Sequence, residues 1–393
     1  MKIGIVILDM RPGLHGGVGI YIQSLLEAIS EYEQRHNFFV FVSSSSREYW
    51  MYRKWPRHIR FISMNERSIL LRATKYFLRF LGKDSQKVDE KWIGSKFDSL
   101  KLDVLHFPST IVNTLKFKTP LILTVFDIQH EYYPEFFSQW VLNYRKKWYE
   151  PSVEKARIVI APTEFTKSTL IDKYRTSPEK IKLIPTGILR SFQIPSVEQI
   201  NQVRNKYDLP KTFLYYPSNP WQHKNHARLM AALRIYGEKY SDIPHVILSG
   251  RLDGETRDSI SLAVAAGVEA RVKELGFVDQ VDMAPLYCAA TALIFPSLFE
   301  GFGIPLVEAM RCGCPILASE TTTIPEITNG AALLFDPYNP REIAYAIRKM
   351  IEEPEFRSQL VKNGFNQVKK YDWDNIVPQL FSVYQDTALS TKA

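Results

Sequence analysis

The feature that most constrains the fold is a repeated alternation of short apolar runs with stretches of helical spacing. The first series opens with "KIGIVIL" (2–8), a continuous apolar run of the kind that forms a strand buried on both faces. A glycine turn follows, and then "IYIQSLLEAISEY" (20–32), whose apolar residues recur at helical spacing. "NFFVFVSS" (37–44), "DVLHFPS" (103–109), "TPLILTVFD" (119–127), "ARIVIAPTE" (156–164) and "KIKLIP" (180–185) continue the series. The pattern breaks at "TGILRSFQIPSVEQ" (186–199), which has no periodicity. It restarts with "TFLYYPS" (212–218), "PHVILSG" (244–250), "VKELGF" (272–277), "ALIFPS" (292–297), "PILASE" (315–320) and "AALLFD" (331–336). Strands alternating with helices predict parallel sheets with crossover helices, and the break predicts two doubly wound α/β domains in tandem. Ligands of such sheets bind beyond the carboxyl ends of the strands, so residues just after each run carry the most functional weight.

Length agrees with this division, since 393 residues exceed one ordinary core. A composition of 45% apolar and 23% charged residues is that of a soluble globular protein. The apolar run in "MKIGIVILDM" ends at Asp9, too short for a secretory leader or a membrane span. The cysteines Cys288, Cys312 and Cys314 are too few for a disulfide framework, and a reducing cytoplasm is expected. Small buried thiols are the ordinary reading of Cys312-Gly-Cys314; redox or metal chemistry is the alternative. Charge is uneven. Residues 1–190 hold 30 Lys and Arg against 19 Asp and Glu, a net of +11, whereas residues 191–393 hold 20 against 23, a net of −3. The first half therefore favours an anionic partner.

Three stretches carry chemistry. "HGGVGIY" (15–21) puts glycines between a strand and a helix, where backbone amides can approach an anion. It is not a dinucleotide fingerprint, because Ile22 stands where a third glycine or alanine is needed, and the next strand ends in serines rather than an acid. A ligand-free tight turn is the alternative. "YYPSNPWQHKNH" (215–226) is a strand end, a loop and a helix start near Asn225. Lys224 there opposes the helix dipole, a conflict that a bound phosphate would resolve; a solvated lysine is the plain alternative. "FEGFGIPLVEAM" (299–310) holds Glu300 in a glycine loop and Glu308 in the helix after it, with Pro305 suited to the first turn. Two carboxylates and the free amides of Phe302 and Gly303 suit a polyhydroxyl ligand, each charged hydrogen bond being worth roughly 1.5–3 kcal/mol. A carboxylate that only complements the helix N-terminus is the bland reading of Glu308.

"FEGFGIPLVEAM" resembles the E-x7-E motif of glycosyltransferase family 4, retaining enzymes of the GT-B fold. "HKNH", "HGGVG", "APTEFTKSTL", "IPTGI" and "LGFV" match that family's habits, and the resemblance is strongest from 210 to 340. It implies two Rossmann-like domains facing a deep cleft. Residues 1–187 would bind the acceptor and 188–372 the nucleotide sugar, with a C-terminal helix at about 373–393 packed back on the first domain. It implies that Glu308 holds the ribose, that Glu300, Phe302, Gly303 and Ile304 hold the transferred sugar, and that Lys224 holds the pyrophosphate. Gly16 and Gly17 would meet the phosphates, and the base would lie near Phe277 and Val278. Two departures matter. Asn219 and Ser218 stand where many relatives have an arginine, which makes Arg251 the candidate replacement. Phe126 stands where many have a histidine before Asp127; Asp127 remains the candidate catalytic residue reaching the acceptor or the sugar, and His130 and His106 become candidate acceptor or sugar contacts. No metal is expected, because no Asp-x-Asp motif sits at a strand end; the nucleotide sugar is substrate, not cofactor. The family's preferred mechanism is same-face attack, with leaving-group charge held by cations and helix dipoles.

"RSILLRATKYFLRFLGK" (67–83) puts Arg72, Lys75, Arg79 and Lys83 on one helical face, a pattern that fits an anionic membrane and a lipid-linked acceptor. An ordinary packed helix is the alternative. The expected protein is a cytoplasmic, peripherally attached hexosyltransferase of cell-surface or exopolysaccharide assembly, with UDP favoured over GDP and no nucleic-acid partner. A nucleotide-sugar 2-epimerase and a non-catalytic sugar-nucleotide binder are the competing classes.

Overall fold

The computed structural model describes residues 1–11, 16–32, 35–64, 86–112, 116–240, 242–250 and 259–389. These divide into two compact units, Met1–Leu189 with Trp373–Ala393, and Arg190–Asp372. Each is built on one parallel sheet.

In the first unit the strands are β1 (Lys2–Leu8), β2 (Asn37–Ser43), β3 (Ile59–Met64), β4 (Val104–Phe107), β5 (Leu121–Thr124), β6 (Ile158–Ala161) and β7 (Ile181–Leu183), in the order β3-β2-β1-β4-β5-β6-β7. Each described pairing is parallel. The order reverses beside β1, the doubly wound pattern. β3 has no counterpart among the apolar runs above. It is an edge strand with Arg60 exposed and Ser63 half-buried, so its sequence is not continuously apolar. Gly4 lets β1 pack tightly, since a Cβ there would lie 2.6 Å from Leu105 Cδ1 and 2.7 Å from Leu102 Cδ1.

The helix Trp373–Leu389 belongs to this unit although it follows the second in sequence. Its Trp373, Ile376, Val377, Leu380, Phe381 and Tyr384 join the same core as Ile3, Ile5 and Leu25. Trp373 Nε1 donates to Ser24 Oγ, and the ring fills the space where a side chain at Gly187 would stand.

The second unit contains β8 (Phe213–Pro217), β9 (His245–Ser249), β10 (Val272–Glu274), β11 (Ala292–Phe295), β12 (Ile316–Ser319) and β13 (Ala332–Phe335), ordered β10-β9-β8-β11-β12-β13. These too are parallel, and the order reverses between β8 and β11. β8 and β11 are almost wholly buried, as strands covered on both faces must be. Among the described residues no helix is long and apolar enough to cross a membrane.

Candidate active site

The switch point of the second sheet is where chemistry gathers. After β11 the chain runs through Pro296–Phe302 and enters the helix Ile304–Arg311. Gly303 caps that helix in the left-handed region, at φ +86°, where a Cβ would come within 2.9 Å of Leu306 Cδ1. Pro305 lies in the first turn, where a missing N–H costs nothing. Among the described residues the main-chain N–H groups of Phe302, Gly303 and Ile304 donate to no protein acceptor. They are the orphan donors of a helix start, available to an anion or a hydroxyl. The Phe302 side chain is turned away, packed edge-on to Tyr371 at 5.6 Å, so the loop is held by its apolar side.

Glu308 is only 4% exposed. Its Oε2 accepts a hydrogen bond from the Tyr287 hydroxyl at 2.7 Å, while Oε1 has no partner among the described residues. Burial pushes its carboxyl up to about 7, and the Tyr287 bond partly opposes that rise.

The loop after β8 forms a short turn, Gln222–Lys224, and then Asn225 at φ +63° before the helix His226–Tyr240. Asn225 is a clamp: its Nδ2 donates to Pro296 O at 3.0 Å and Pro337 O at 2.9 Å. Tyr216 donates to Lys224 O at 2.8 Å, and Leu298 N–H donates to His223 O at 2.7 Å. These bonds bring the β8 and β11 loops together. Lys224 Nζ lies 2.6 Å from Glu300 Oε1, with only 14% and 11% of the two side chains exposed. The charge conflict read at Lys224 is thus answered within the protein by Glu300. Two of the three ammonium donors and Glu300 Oε2 remain uncommitted among the described residues. Thr322 Oγ1 accepts the Glu300 N–H at 3.2 Å from a backbone at φ +51°, an uncommon conformation for a β-branched residue.

Beyond β8, β9 and β10 lies a small, open recess lined by Ser218, Pro220, Leu248, Gly250, Glu274 and Gly276 among others. The register sets Tyr216, Leu248 and Glu274 side by side on one face. Phe277 is exposed and Val278 buried immediately after it. Arg251 and the basic stretch 67–83 lie outside the described residues.

In the first unit, Gly16 and Gly17 are exposed at the start of the helix Gly16–Tyr32, with Gly16 at φ +54°. Asp127 follows β5 and accepts the Gln129 N–H at 3.0 Å, a local turn bond. The histidines are placed differently from the expectation. His106 lies within β4, not after it, and is wholly buried. Its Nδ1 meets Tyr384 Oη at 2.8 Å and its Nε2 meets Thr124 Oγ1 at 2.9 Å, so neither nitrogen is open to a ligand. Burial lowers it to about 3. His130 is also buried, its ring nitrogens facing Arg145 at 3.5 Å and Tyr174 Oη at 3.3 Å. Burial and the Arg145 charge lower it to about 4, which leaves it neutral at physiological pH.

Sequence reading missed Tyr287, Thr322 and the Asn225 clamp. Tyr287 sits in "APLYCAA", where nothing local marks one buried tyrosine as a carboxylate donor. Among the described residues no group of three or more His, Cys, Asp or Glu could hold a metal ion.

Comparison with known proteins places this geometry. The chain is 26% identical over 265 residues to the O-antigen chain mannosyltransferase B of Escherichia coli, covering 67% of this chain and 70% of that one. It is 26% identical over 226 residues to the serotype-specific mannosyltransferase WbdA of Escherichia coli, of which the matched stretch spans only 28%. The fold matches Anabaena HepE, solved in complex with UDP and glucose, with a TM-score of 0.71 at 20% identity over 98% of this chain and 100% of that one. Both sheets are therefore the Rossmann-like halves of the GT-B fold. Residues 15–189 match the model of Glycosyltransferase Family 4 and residues 196–367 that of Glycosyl transferases group 1, so that between them nearly the whole chain is accounted for and it belongs to glycosyltransferase family 4, as a glycosyltransferase.

Proposed function

We propose that the chain transfers a hexose from a nucleoside-diphosphate sugar to a glycan or lipid-linked acceptor in cell-surface polysaccharide assembly, with retention at the anomeric carbon. The observation that carries the reading is the Lys224–Glu300 pair beside the unfilled amides of Phe302 and Gly303, next to Glu308. In this reading the second unit takes the donor and the first the acceptor. Lys224 and the helix start hold the diphosphate, whose charge grows as the glycosidic bond breaks. Glu300 and the amides of Gly303 and Ile304 orient the sugar hydroxyls, and Glu308 accepts the ribose diol. Leaving-group oxygens on the face of acceptor attack can take the acceptor proton, so the protein supplies position and electrostatics. No metal enters the scheme. The mannosyltransferase relatives and the UDP-bound neighbour support a hexose donor; the substrate panel starts from UDP and GDP hexoses, with UDP the expected base.

The test is nucleotide affinity. Glu308→Ala removes a charge-assisted diol contact, so calorimetry should show binding weakened by roughly 1.5–3 kcal/mol, about 10- to 150-fold. A folded variant that binds nucleotide as tightly as the parent would remove the ribose assignment.

Membrane attachment forms part of the same reading, on the net charge of +11 in residues 1–190. Each basic residue near an anionic surface contributes about 1 kcal/mol within a Debye length of about 8–10 Å. The protein should sediment with anionic vesicles at low salt and be released at high salt. Reversing Arg72, Lys75 and Arg79 to glutamate should abolish sedimentation and leave nucleotide affinity intact. No sedimentation by the parent at low salt would point to a soluble acceptor instead.

A further inference from the structure

Glu308 does not stand alone. The helix Gln280–Ala289 carries Tyr287, whose ring lies edge-on to Tyr215 at 5.3 Å and Phe192 at 6.3 Å, so its direction is fixed by packing. Tyr215 is pinned in turn, its hydroxyl bonded to Ser249 Oγ at 2.7 Å. Tyr287 is fully buried, and a buried phenol must spend its proton on an acceptor. It spends it on Glu308 Oε2 at 2.7 Å. A carboxylate so held can swing neither oxygen freely, and the one left over is Oε1.

We propose that Tyr287 is a positioning residue of the nucleotide site: by holding Oε2 of Glu308 it presents Oε1 to the ribose diol of the donor. The proposal rests on the ribose assignment of Glu308 made above. Tyr287 also has an electrostatic part. Its hydroxyl is a donor to the carboxylate, favouring the charged form that accepts two diol hydroxyls against the burial that disfavours it. Among the described residues, Tyr215 on β8 and Cys312 just after the Glu308 helix also interact with Glu308, and next to them lie Cys288 on the tyrosine's own helix and Cys314. Burial keeps Tyr215, Tyr287 and Cys314 neutral at ordinary pH, and the contact with Cys288 together with burial does the same for Cys312, while Cys288 is lowered by that contact and serves as the control.

The experiment uses the full chain and calorimetry of UDP and GDP from pH 6 to 9, on the parent, Tyr287→Phe, Glu308→Gln and Cys288→Ala. For the nucleotide that binds, parent affinity should rise with pH to a plateau as Glu308 ionises. Tyr287→Phe should weaken binding roughly tenfold near neutral pH and move the midpoint of the rise upward by about one unit, since the donor that favoured the carboxylate is gone. Glu308→Gln should bind weakly without that rise, and Cys288→Ala should leave it in place. If Glu308→Gln binds like the parent, the ribose reading itself fails. If Glu308→Gln weakens binding while Tyr287→Phe alters neither affinity nor midpoint, only the positioning role fails. A rise that disappears in Cys288→Ala would assign the titration to the thiol and overturn the proposal. Should Tyr287→Phe not fold, 3-fluorotyrosine installed at 287 keeps the shape and makes the hydroxyl a stronger donor. The midpoint should then move down, and an unmoved midpoint overturns the proposal.

Discussion

Lys224→Ala should lower turnover by about 10²- to 10³-fold, the range for losing one fixed donor to a developing anion, while changing donor affinity far less. The physical reason is timing. The intact sugar nucleotide already carries its diphosphate charge, but the bridging oxygen gains charge only as the glycosidic bond breaks. An ammonium held by packing and by Glu300 at 2.6 Å is in place before that happens and need not reorganise. The substitution also strips a mostly buried carboxylate of its partner and leaves it facing an anionic substrate. Steady-state and single-turnover kinetics check the claim. A raised Michaelis constant with unchanged turnover would make Lys224 a uniform binder. A double-mutant cycle with Glu300→Ala separates the two causes: if the loss came mainly from the orphaned carboxylate, the double variant would recover much of it.

The second large effect concerns stability and pH. Glu308 is buried, and its carboxyl is held near 7 in the folded chain against an ordinary value of 4.5. A raised carboxyl favours the folded state below its unfolded value, and that contribution is lost as pH rises through about 7. Above that point the folded protein must carry a buried charge, at a cost on the order of 3 kcal/mol for a shift of this size. Ligand-free Glu308→Gln should therefore be more stable than the parent at pH 8.5 by up to that amount, and equal to it near pH 4.5. Urea unfolding at the two pH values reads the difference directly. A gap that does not widen between them would mean that the empty site holds Glu308 as an ordinary ionised carboxylate. This instability fits a residue kept for binding, since a glutamine would give the better-folded protein and the poorer diol acceptor.

Much of the architecture was legible from residues alone. "KIGIVIL" and "ALIFPS" announce buried parallel strands because burial on both faces leaves a local signature, an unbroken apolar run. β3 escaped because an edge strand bears no such signature. The glycine and proline around Glu300 and Glu308 mark a loop and a helix start through their own backbone limits, which act within a few residues.

Partnership is another matter. Lys224 and Glu300 are 76 residues apart, and Tyr287 and Glu308 are 21 apart on different helices. His106 reads in the sequence as a polar residue near a strand end, yet its nitrogens are taken by Thr124 and by Tyr384, a residue 278 positions away. The sequence by itself determined the alternation, the two sheets and the family, because those depend on apolar periodicity and backbone chemistry within short windows. Only the tertiary structure decided which polar atoms are already spent and which are left to a ligand. Hydrogen bonds are directional and act over about 3 Å, so their pairing is set by where the folded backbone brings distant segments together.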